Sequence, residues 1–415
     1  MKCKAILRCG AVFSAALAVF AAASLSSFAE EESEAAAEVS GAAESEDAIR
    51  TCGDFTYTVL SESEDDDTKF AYVESYTGDA SELVIPEKLD GLEVVGFGKY
   101  ALADMPQIKK VSLPKTVTVI GLYTFAACSN ITEYAVDPDN TVFSSRNGVL
   151  YADESTALVR WPIGRDETEV EIPEGVTMIG SAAFADSQKI TSVKFPESLT
   201  RICASAFASC TGLTEITLPD TVTQIDEFAF NSCENLKSVK LPKYLVTIGS
   251  GAFAATALET VELPNMLDTV GEQAFTATPM DSVTIPGNVG EIGYSAFGWD
   301  VDKRGELYAK EGFTIRGYRD TGAYYYAIDE DNSNKFVFEE LKEEEASAAA
   351  EESTAAETED GADADSEADP AQSGGFSTGR IIGISACGVL LLGILTGAAL
   401  SGRKKKTNEE KKDDA

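Results

Sequence analysis

Residues 218–230 read Leu-Pro-Asp-Thr-Val-Thr-Gln-Ile-Asp-Glu-Phe-Ala-Phe, and this phrase recurs along the chain. Its constant parts are an apolar residue before proline, then Val-x-x-Ile, usually glycine, and then Ala-Phe. The prolines of the eight copies lie at positions 86, 114, 173, 196, 219, 242, 264 and 286, so the last six follow one another every 22 or 23 residues. Such a period predicts a solenoid, because one unit cannot bury its apolar face alone and must stack on its neighbours.

One copy is enough to predict how a coil is built. Residues 213–218 alternate apolar and polar side chains, which is the pattern of a half-buried strand. Pro219 ends that strand because it has no N–H to donate, and Val222 with Ile225 forms a second short apolar element. The Ala-Phe pair is then predicted to lie on one helical turn. Where glycine follows the isoleucine, it predicts a tight bend with positive φ, as at Gly180, Gly249, Gly271 and Gly293.

The phenylalanine of each copy is predicted to fill the middle of its coil. Truncating a buried phenylalanine to alanine costs roughly 3–5 kcal/mol, so this row would hold the solenoid together. The structural core of the repeat comprises Phe125, Phe184, Phe207, Phe230, Phe253, Phe275 and Phe297.

The repeat is interrupted between Pro114 and Pro173. There the Asn147-Gly148 pair is a strong signal for a two-residue β-hairpin, so an insertion over about 137–168 is expected to project from the solenoid. Three aromatic side chains of this insertion could carry recognition or, as we favour, pack back on the coil: Phe143, Tyr151 and Trp161.

Strands are also predicted at both ends of the solenoid. Residues 55–60 and 70–76 read as two strands that cover the N-terminal coil, and residues 313–318 and 335–338 as strands that cover the last one. Caps of this kind protect the exposed apolar rows and strand edges of a solenoid.

Eight cysteines do not make a disulfide scaffold in this chain. Five lie outside the terminal segments described below: Cys52, Cys128, Cys203, Cys210 and Cys233. Three of them follow the repeat phenylalanine by three positions, where other copies have serine or threonine, so the position demands a small side chain. A Cys210–Cys233 bridge between adjacent coils is left open, because coils about 4.8 Å apart do not exclude it.

The two ends of the chain predict its location. Residues 1–29 combine a basic start, an apolar stretch and a Ser27-Phe28-Ala29 cleavage site, which is typical of a secretory signal. Residues 380–401 are long and apolar enough for a transmembrane helix, and the basic tail 402–415 would remain in the cytoplasm. We therefore expect a single-pass protein of the bacterial cell membrane with its N-terminal ectodomain outside.

Acidic segments flank the predicted ectodomain. Residues 30–50 and 343–379 lack the apolar side chains needed to offset the entropy of ordering, so both are expected to be disordered. The second would form a stalk before the membrane. Between them we expect an N-terminal β cap at 51–81, the solenoid at 82–300 and a C-terminal β cap at 301–342.

Composition narrows the function further. The chain has no histidine, which removes the commonest general base and the commonest transition-metal ligand. Its formal net charge of −37 argues against nucleic acid as a binding partner, because phosphate contacts need clustered lysine and arginine. We expect no enzyme activity, no cofactor and no metal site. A right-handed parallel β-helix with a polysaccharide-cleaving site is the rival fold, but no carboxylate cluster breaks the repeat on one face.

The repeats closely resemble the BspA-like leucine-rich-repeat family of bacterial surface proteins, whose unit runs approximately L-xx-I-x-I-P-x-x-V-x-x-I-G-x-x-A-F-x-x-C. The resemblance covers residues 52 to about 340, with small departures: Leu102 replaces the phenylalanine of the first copy, and Cys203 stands at a usual glycine. It implies a mainly β leucine-rich-repeat solenoid with short helical turns, a right-handed superhelix of about eight repeats with β caps. It also implies surface display and adhesion without an active site.

If the strands alternate as argued, two rows of side chains face outward on one sheet and form a candidate partner-binding face. One row contains Ser112, Lys194, Thr217, Lys240, Glu262 and Thr284, and the other contains Lys110, Ser192, Glu215, Ser238, Thr260 and Ser282. The alternative is an ordinary solvated surface. We expect an extracellular protein or glycan as partner, with a spacer protein of the cell envelope as the alternative function.

Overall fold

A computed structural model describes residues 49–61, 68–332 and 335–342. The chain divides into two units, Met1–Glu339 and Glu340–Ala415, and the fold below is that of the first. The predicted signal at 1–29, the stalk at 343–379, the transmembrane helix at 380–401, the tail at 402–415 and nearly all of the acidic segment at 30–50 lie outside the described residues. Among the described residues, no helix is long and apolar enough to cross a bilayer.

The N-terminal half contains twelve strands: β1 (Arg50–Cys52), β2 (Phe55–Ser61), β3 (Lys69–Tyr76), β4 (Glu82–Val84), β5 (Lys88–Leu89), β6 (Leu92–Phe97), β7 (Lys110–Leu113), β8 (Val119–Ile120), β9 (Glu133–Val136), β10 (Phe143–Arg146), β11 (Val149–Ala152) and β12 (Ala157–Arg160). A 3-10 turn, Asp153–Ser155, joins the last two.

The remaining strands are β13 (Glu169–Glu171), β14 (Met178–Ile179), β15 (Ser192–Lys194), β16 (Arg201–Ile202), β17 (Glu215–Thr217), β18 (Gln224–Ile225), β19 (Ser238–Lys240), β20 (Thr247–Ile248), β21 (Thr269–Val270), β22 (Ser282–Thr284), β23 (Glu291–Ile292), β24 (Trp299–Val301), β25 (Leu307–Ala309), β26 (Thr314–Gly317) and β27 (Val337–Glu340). A helix, α1 (Gly322–Ile328), lies between the last two.

Each regular coil has three parts, which line up from coil to coil. The first strand is the three-residue element before the proline, such as β17, which pairs in parallel with β19 of the next coil. The second strand is the two-residue element that ends in isoleucine or valine, such as β18, which pairs in parallel with β16 and β20. The turn segment contains the Ala-Phe pair and returns the chain to the next first strand.

The second strands form one sheet, with the order β10-β11-β12-β14-β16-β18-β20-β21-β23. The first strands form shorter sheets with the orders β4-β7-β9, β13-β15, β17-β19 and β22-β26-β27. At the N-terminal end the predicted cap strands, β2 and β3, belong to a sheet with the order β1-β2-β3-β6-β5, in which β8 pairs with β6. The solenoid runs to about 12 turns, more than the eight copies of the phrase, because coils without the phrase continue the rows. One example is β9, which pairs with β7 in register, Lys110 opposite Glu133.

The turn segment is not helical, so the prediction of a helical turn is wrong. Around Phe207 the φ angles of Ser205 and Ser209 are 55° and 58°, in the left-handed region. The N–H groups of Phe207 and Ser209 donate sideways to the Ala229 and Asn231 carbonyls of the next coil, at 2.7 and 2.8 Å. A helix would direct these donors along its own axis. Instead, left-handed residues recur at every fourth position, and the N–H groups alternate: those of Ala206 and Ala208 bond within the segment, and those between them bond the next coil. We call this the alternating turn.

The glycine after the isoleucine serves close packing, not a positive φ. Positive φ falls two residues later, at Ala182, Gly251, Gln273 and Ser295. At Gly249 a Cβ would lie 2.5 Å from the carbonyl carbon of Asp226 and 2.5 Å from the Glu227 nitrogen of the preceding coil. The predicted positive φ at Gly180, Gly249, Gly271 and Gly293 is therefore wrong.

The predicted hairpin is present, with Asn147-Gly148 between β10 and β11, but it does not project. Strand β11 pairs with β12, and β12 joins the second-strand sheet by pairing in parallel with β14. Leu158 thereby lies opposite Ile179, so part of the apparent insertion is a coil of the solenoid.

The seven repeat phenylalanines are all buried. From Phe184 to Phe297 they form a column in which neighbouring ring centroids are 4.8–5.3 Å apart and ring planes differ by no more than 11°. Trp161 continues the column at 5.5 Å from Phe184, whereas Phe125 meets Tyr134 edge-on at 5.2 Å. The C-terminal end is covered by the predicted strands β26 and β27, and also by α1, which the sequence pattern did not indicate.

Candidate partner-binding face

The structure places the twelve predicted surface residues on the solvent side of the first strands or their equivalents. In β17 the side chains of Glu215 and Thr217 are exposed while Ile216 between them is buried, and the other coils follow this alternation. Residues Thr260 and Glu262 are exposed in a coil whose first segment forms no strand. Three of the twelve are half-buried: Lys110, Ser112 and Ser282.

Parallel pairing brings some of these residues side by side. Glu215 lies opposite Ser238, and Thr217 opposite Lys240, in the β17–β19 pair. Ser282 and Thr284 lie opposite Thr314 and Arg316 of β26. Because the first-strand sheets are interrupted, the face consists of short sheets in succession. Its side chains are mostly short and polar, with isolated charges.

Two of the predicted lysines are already paired. The Nζ atom of Lys194 lies 2.7 Å from Oε1 of Glu171, and that of Lys110 lies 2.5 Å from Oε1 of Glu133. The hydrogen bond from each carboxylate raises the pKa of its lysine, and the pKa of Glu171 is lowered in return. Because all four side chains are at least one-third exposed, solvent screens the pairs and they contribute little to stability. Lys240 and Glu215 make no ion pair with any described residue.

Sequence reasoning missed Glu133 and Glu171 as members of this face. Glu171 lies 23 positions before Lys194, so the period itself could have found it. Glu133 belongs to a coil that lacks the proline phrase, and only the pairing of β7 with β9 shows that it continues the row.

A shallow depression of about 310 Å³ lies beside the Lys194–Glu171 pair. Its apolar lining includes Phe195 and the two prolines that end adjacent first strands, and its charged lining includes Lys194 and Glu171. It is lined by Glu171, Ile172, Pro173, Glu174, Lys194, Phe195 and Pro196.

The aromatic residues of the predicted insertion pack on the solenoid, as favoured above. Phe143 and Tyr151 are buried, and Trp161 stacks on Phe184. The guanidinium of Arg165 lies over the Trp161 ring, 5.4 Å from its centroid. These rings therefore do not form an open recognition surface.

The cysteines of the turn segments are packing residues with a specific hydrogen bond. The Sγ atoms of Cys210 and Cys233 lie 3.1 and 3.2 Å from the carbonyl oxygens of Phe184 and Phe207 in the preceding coil, to which they donate. Neither thiol forms a disulfide, so the Cys210–Cys233 bridge is absent. Burial raises the pKa of Cys233 to about 12 and that of Cys128 to about 11. Within residues 49–61, 68–332 and 335–342, no group of three or more cysteine, aspartate or glutamate side chains is placed to hold a metal ion.

Residues 79–147 and 177–300 match the model of the BspA type leucine rich repeat region, in six copies. The repeats of this chain are therefore BspA-type leucine-rich repeats, in agreement with the predicted resemblance. No functionally curated protein matches the sequence significantly.

Three solved structures are among those with detectable similarity to this chain. A leucine-rich repeat protein from Bacteroides ovatus is 22% identical, with a TM-score of 0.38, and the match covers 65% of this chain and 70% of that one. A leucine rich cell surface protein from Faecalibacterium prausnitzii is 18% identical, with a TM-score of 0.33 and coverage of 74% and 98%. The pneumococcal vaccine antigen PcpA is 13% identical, with a TM-score of 0.37 and coverage of 71% and 99%.

Proposed function

We propose that this chain is a non-enzymatic surface protein of a bacterium that binds an extracellular protein or glycan through its candidate partner-binding face, on the first strands. The observation that carries the proposal is the succession of exposed short polar side chains on that face, which alternate along each strand with buried apolar side chains such as Ile216. Extended faces of stacked repeats are the usual binding surfaces of solenoids.

The charges on this face favour a partner with both acidic and basic groups. Lys194 and Glu171 can exchange their mutual contact for contacts with a ligand at little cost, because both are more than 70% exposed. The neighbouring depression offers Phe195 as an apolar contact. Lys240 and Glu215 lie on adjacent strands and would add one charge of each sign.

The experiment titrates the purified full-length protein against immobilised matrix proteins, mucins and a glycan panel at low and physiological salt. We expect saturable binding that is lost when Lys194, Glu215 and Lys240 are changed to alanine. A matched control changes Lys303, Arg304 and Glu306, around the β24–β25 hairpin, to alanine; it alters the net charge equally and should retain binding. If both variants lose binding, or if the wild-type protein itself does not bind, the result contradicts a site on this face.

Surface display is part of the same proposal. It is supported by the signal-like residues 1–29 and by the apolar run within 380–401, followed by basic residues. Protease added to intact cells should remove the solenoid and leave the C-terminal tail protected. Protection of the solenoid in intact cells contradicts this orientation.

A spacer of the cell envelope is the second candidate. The continuous phenylalanine column favours it, because close-packed interiors resist compression and transmit force. Absence of saturable binding across the whole panel, with the fold intact by circular dichroism, would select this alternative.

A further inference from the structure

One coil of the solenoid is shorter than its neighbours. Leu158 of β12 pairs with Ile179, 21 positions on, whereas Ile179 pairs with Ile202, 23 positions on. Between residues 156 and 174 no residue has the positive φ that marks the turn segments of regular coils. The chain passes through Trp161 and Pro162 without forming the alternating turn.

The shortened coil leaves two backbone donors of the preceding coil without acceptors. The N–H groups of Phe184, Phe207, Phe230, Phe253 and Phe275 each donate to a carbonyl of the next coil. The Phe125 N–H is the exception, since it has no acceptor among the described residues. The same holds for Ala127, although the equivalent N–H groups of Asp186 and Ser209 donate to the next coil.

The side chain of Arg160 lies between the turn segment that contains Phe125 and the one that contains Ala182. It is only 6% exposed, and its Nη1 donates to the Ala182 carbonyl on one side while Nη2 lies 3.5 Å from the Phe125 carbonyl on the other. The Nε atom is buried and has no hydrogen-bond partner, and the guanidinium also interacts with the buried Tyr134 hydroxyl. No carboxylate of the described residues lies within 4.0 Å of the guanidinium. A buried cation without a counter-ion is strongly unfavourable.

These observations converge on one ligand chemistry. The Nε and Nη2 atoms form the side of a guanidinium that a carboxylate contacts through two parallel hydrogen bonds. The Phe125 and Ala127 N–H groups are expected to point to one side of their coil, because the equivalent N–H groups of Phe207 and Ser209 both donate to the next coil. We propose that the Arg160 gap, defined by Arg160 and the N–H groups of Phe125 and Ala127, binds a small oxyanion of carboxylate or sulfate type.

The surroundings indicate that the ion is small and enclosed. Tyr123, on the coil before the gap, reaches across it to the Ser205 hydroxyl, with the two oxygens 3.0 Å apart, and its ring stacks on Tyr100 at 5.5 Å. These side chains cover the gap and exclude a polymer. Asp186, on the coil after the gap, is the internal competitor for Arg160, and burial raises the pKa of its carboxyl.

Thermal unfolding of the full-length protein in sodium acetate, against sodium chloride at equal ionic strength and pH 7, tests the proposal. A ligand that binds only the folded state stabilises it by RT ln(1 + [L]/Kd), so the midpoint rises with the logarithm of the ligand concentration once that exceeds Kd. We expect such a logarithmic rise in acetate, absent in Arg160→Met and retained in Arg165→Met. Arg165 lies in the same coil, but its guanidinium bonds the Thr132 and Asn147 carbonyls, so this variant is the matched control.

Asp186→Asn provides a second test, which remains valid even if Arg160→Met does not fold. Removal of the competing carboxyl should lower the apparent Kd for acetate, fitted from the midpoint shifts, at least twofold. An equal rise in Arg160→Met and wild type would show a general solute effect and overturn the proposal. A midpoint that rises linearly with acetate, or an apparent Kd unchanged in Asp186→Asn, overturns it as well.

Discussion

The Tyr326 hydroxyl of α1 accepts a hydrogen bond from the Phe297 N–H at 2.9 Å and donates one to the Phe297 carbonyl at 2.7 Å. In the five coils before it, the equivalent N–H bonds the next coil. Phe297 has no such coil to follow it, so a single side chain completes the hydrogen bonding of the last repeat. Burial raises the pKa of Tyr326 far above its ordinary range, which keeps the hydroxyl protonated.

Tyr326→Phe should therefore destabilise the C-terminal end of the solenoid. The variant keeps the ring but leaves a buried N–H and carbonyl unpaired, which costs about 1–3 kcal/mol. Denaturant unfolding of the full-length protein measures the loss. Tyr325→Phe is the control, because Tyr325 is 58% exposed, and an equal loss in both variants would contradict the role of the hydroxyl.

Phe230→Ala should open the middle of the solenoid. Phe230 stacks between Phe207 and Phe253, at 5.2 Å from each, so truncation leaves a cavity and costs roughly 3–5 kcal/mol. Hydrogen exchange should quicken first at the N–H of Phe207, which donates to the carbonyl of Ala229. Val246→Ala, at a 40% exposed position, should leave this exchange unchanged. Uniform acceleration along the whole chain would count against local opening.

Gly249→Ala and Ala255→Gly should change stability in opposite directions. The new Cβ at position 249 would meet the backbone of Asp226 at 2.5 Å, and such overpacking costs about 1–3 kcal/mol. Ala255 has a φ of 55°, which costs a residue with a Cβ roughly 1–2 kcal/mol.

Glycine at position 255 removes that strain, although its greater unfolded-state entropy returns about 0.4–1 kcal/mol, so a small net gain is expected. Thermal unfolding measures both variants. Gly290→Ala is the control, because its Cβ would meet Asp268 Oδ1 at an ordinary 3.6 Å. A loss in Ala255→Gly would contradict this account of the turn segment.

Stability should fall in alkaline solution partly because of Cys233. Burial raises the pKa of its thiol from 9.0 to about 12, so the unfolded chain loses this proton at lower pH than the folded one. The contribution is complete below pH 9.0 and is lost as the pH rises towards about 12.

Unfolding free energies measured across this range should fall less steeply in Cys233→Ser than in wild type. The two proteins must be compared at each pH because other groups titrate in the same range. Serine fits the position, which Ser187 occupies in an earlier coil. Identical slopes for the two proteins would refute the contribution of this thiol.

The period of 22–23 residues in the sequence was enough to predict the solenoid and its phenylalanine core. Strand alternation also placed Glu215 outward and Ile216 inward, as the structure has them. These predictions succeed because the burial of a side chain follows from its position in a repeated pattern, and every coil has nearly the same neighbours.

The backbone of the turn segment depended on tertiary structure. A helical turn and an alternating turn bury the same Phe207, so the side-chain pattern does not distinguish them. Only the acceptor on Ala229 of the next coil selects the alternating form. The pairing of Lys110 with Glu133 likewise required the register of β7 and β9.

The sequence by itself determined the repeating coil, because each copy carries its own apolar spacing. Only the tertiary structure decided where coils differ, as at the shortened one that buries Arg160 between the carbonyls of Phe125 and Ala182. The physical reason is that hydrogen bonds between coils join residues more than 20 positions apart. Whether such a donor finds its acceptor depends on the length of the neighbouring coil, which no local pattern records.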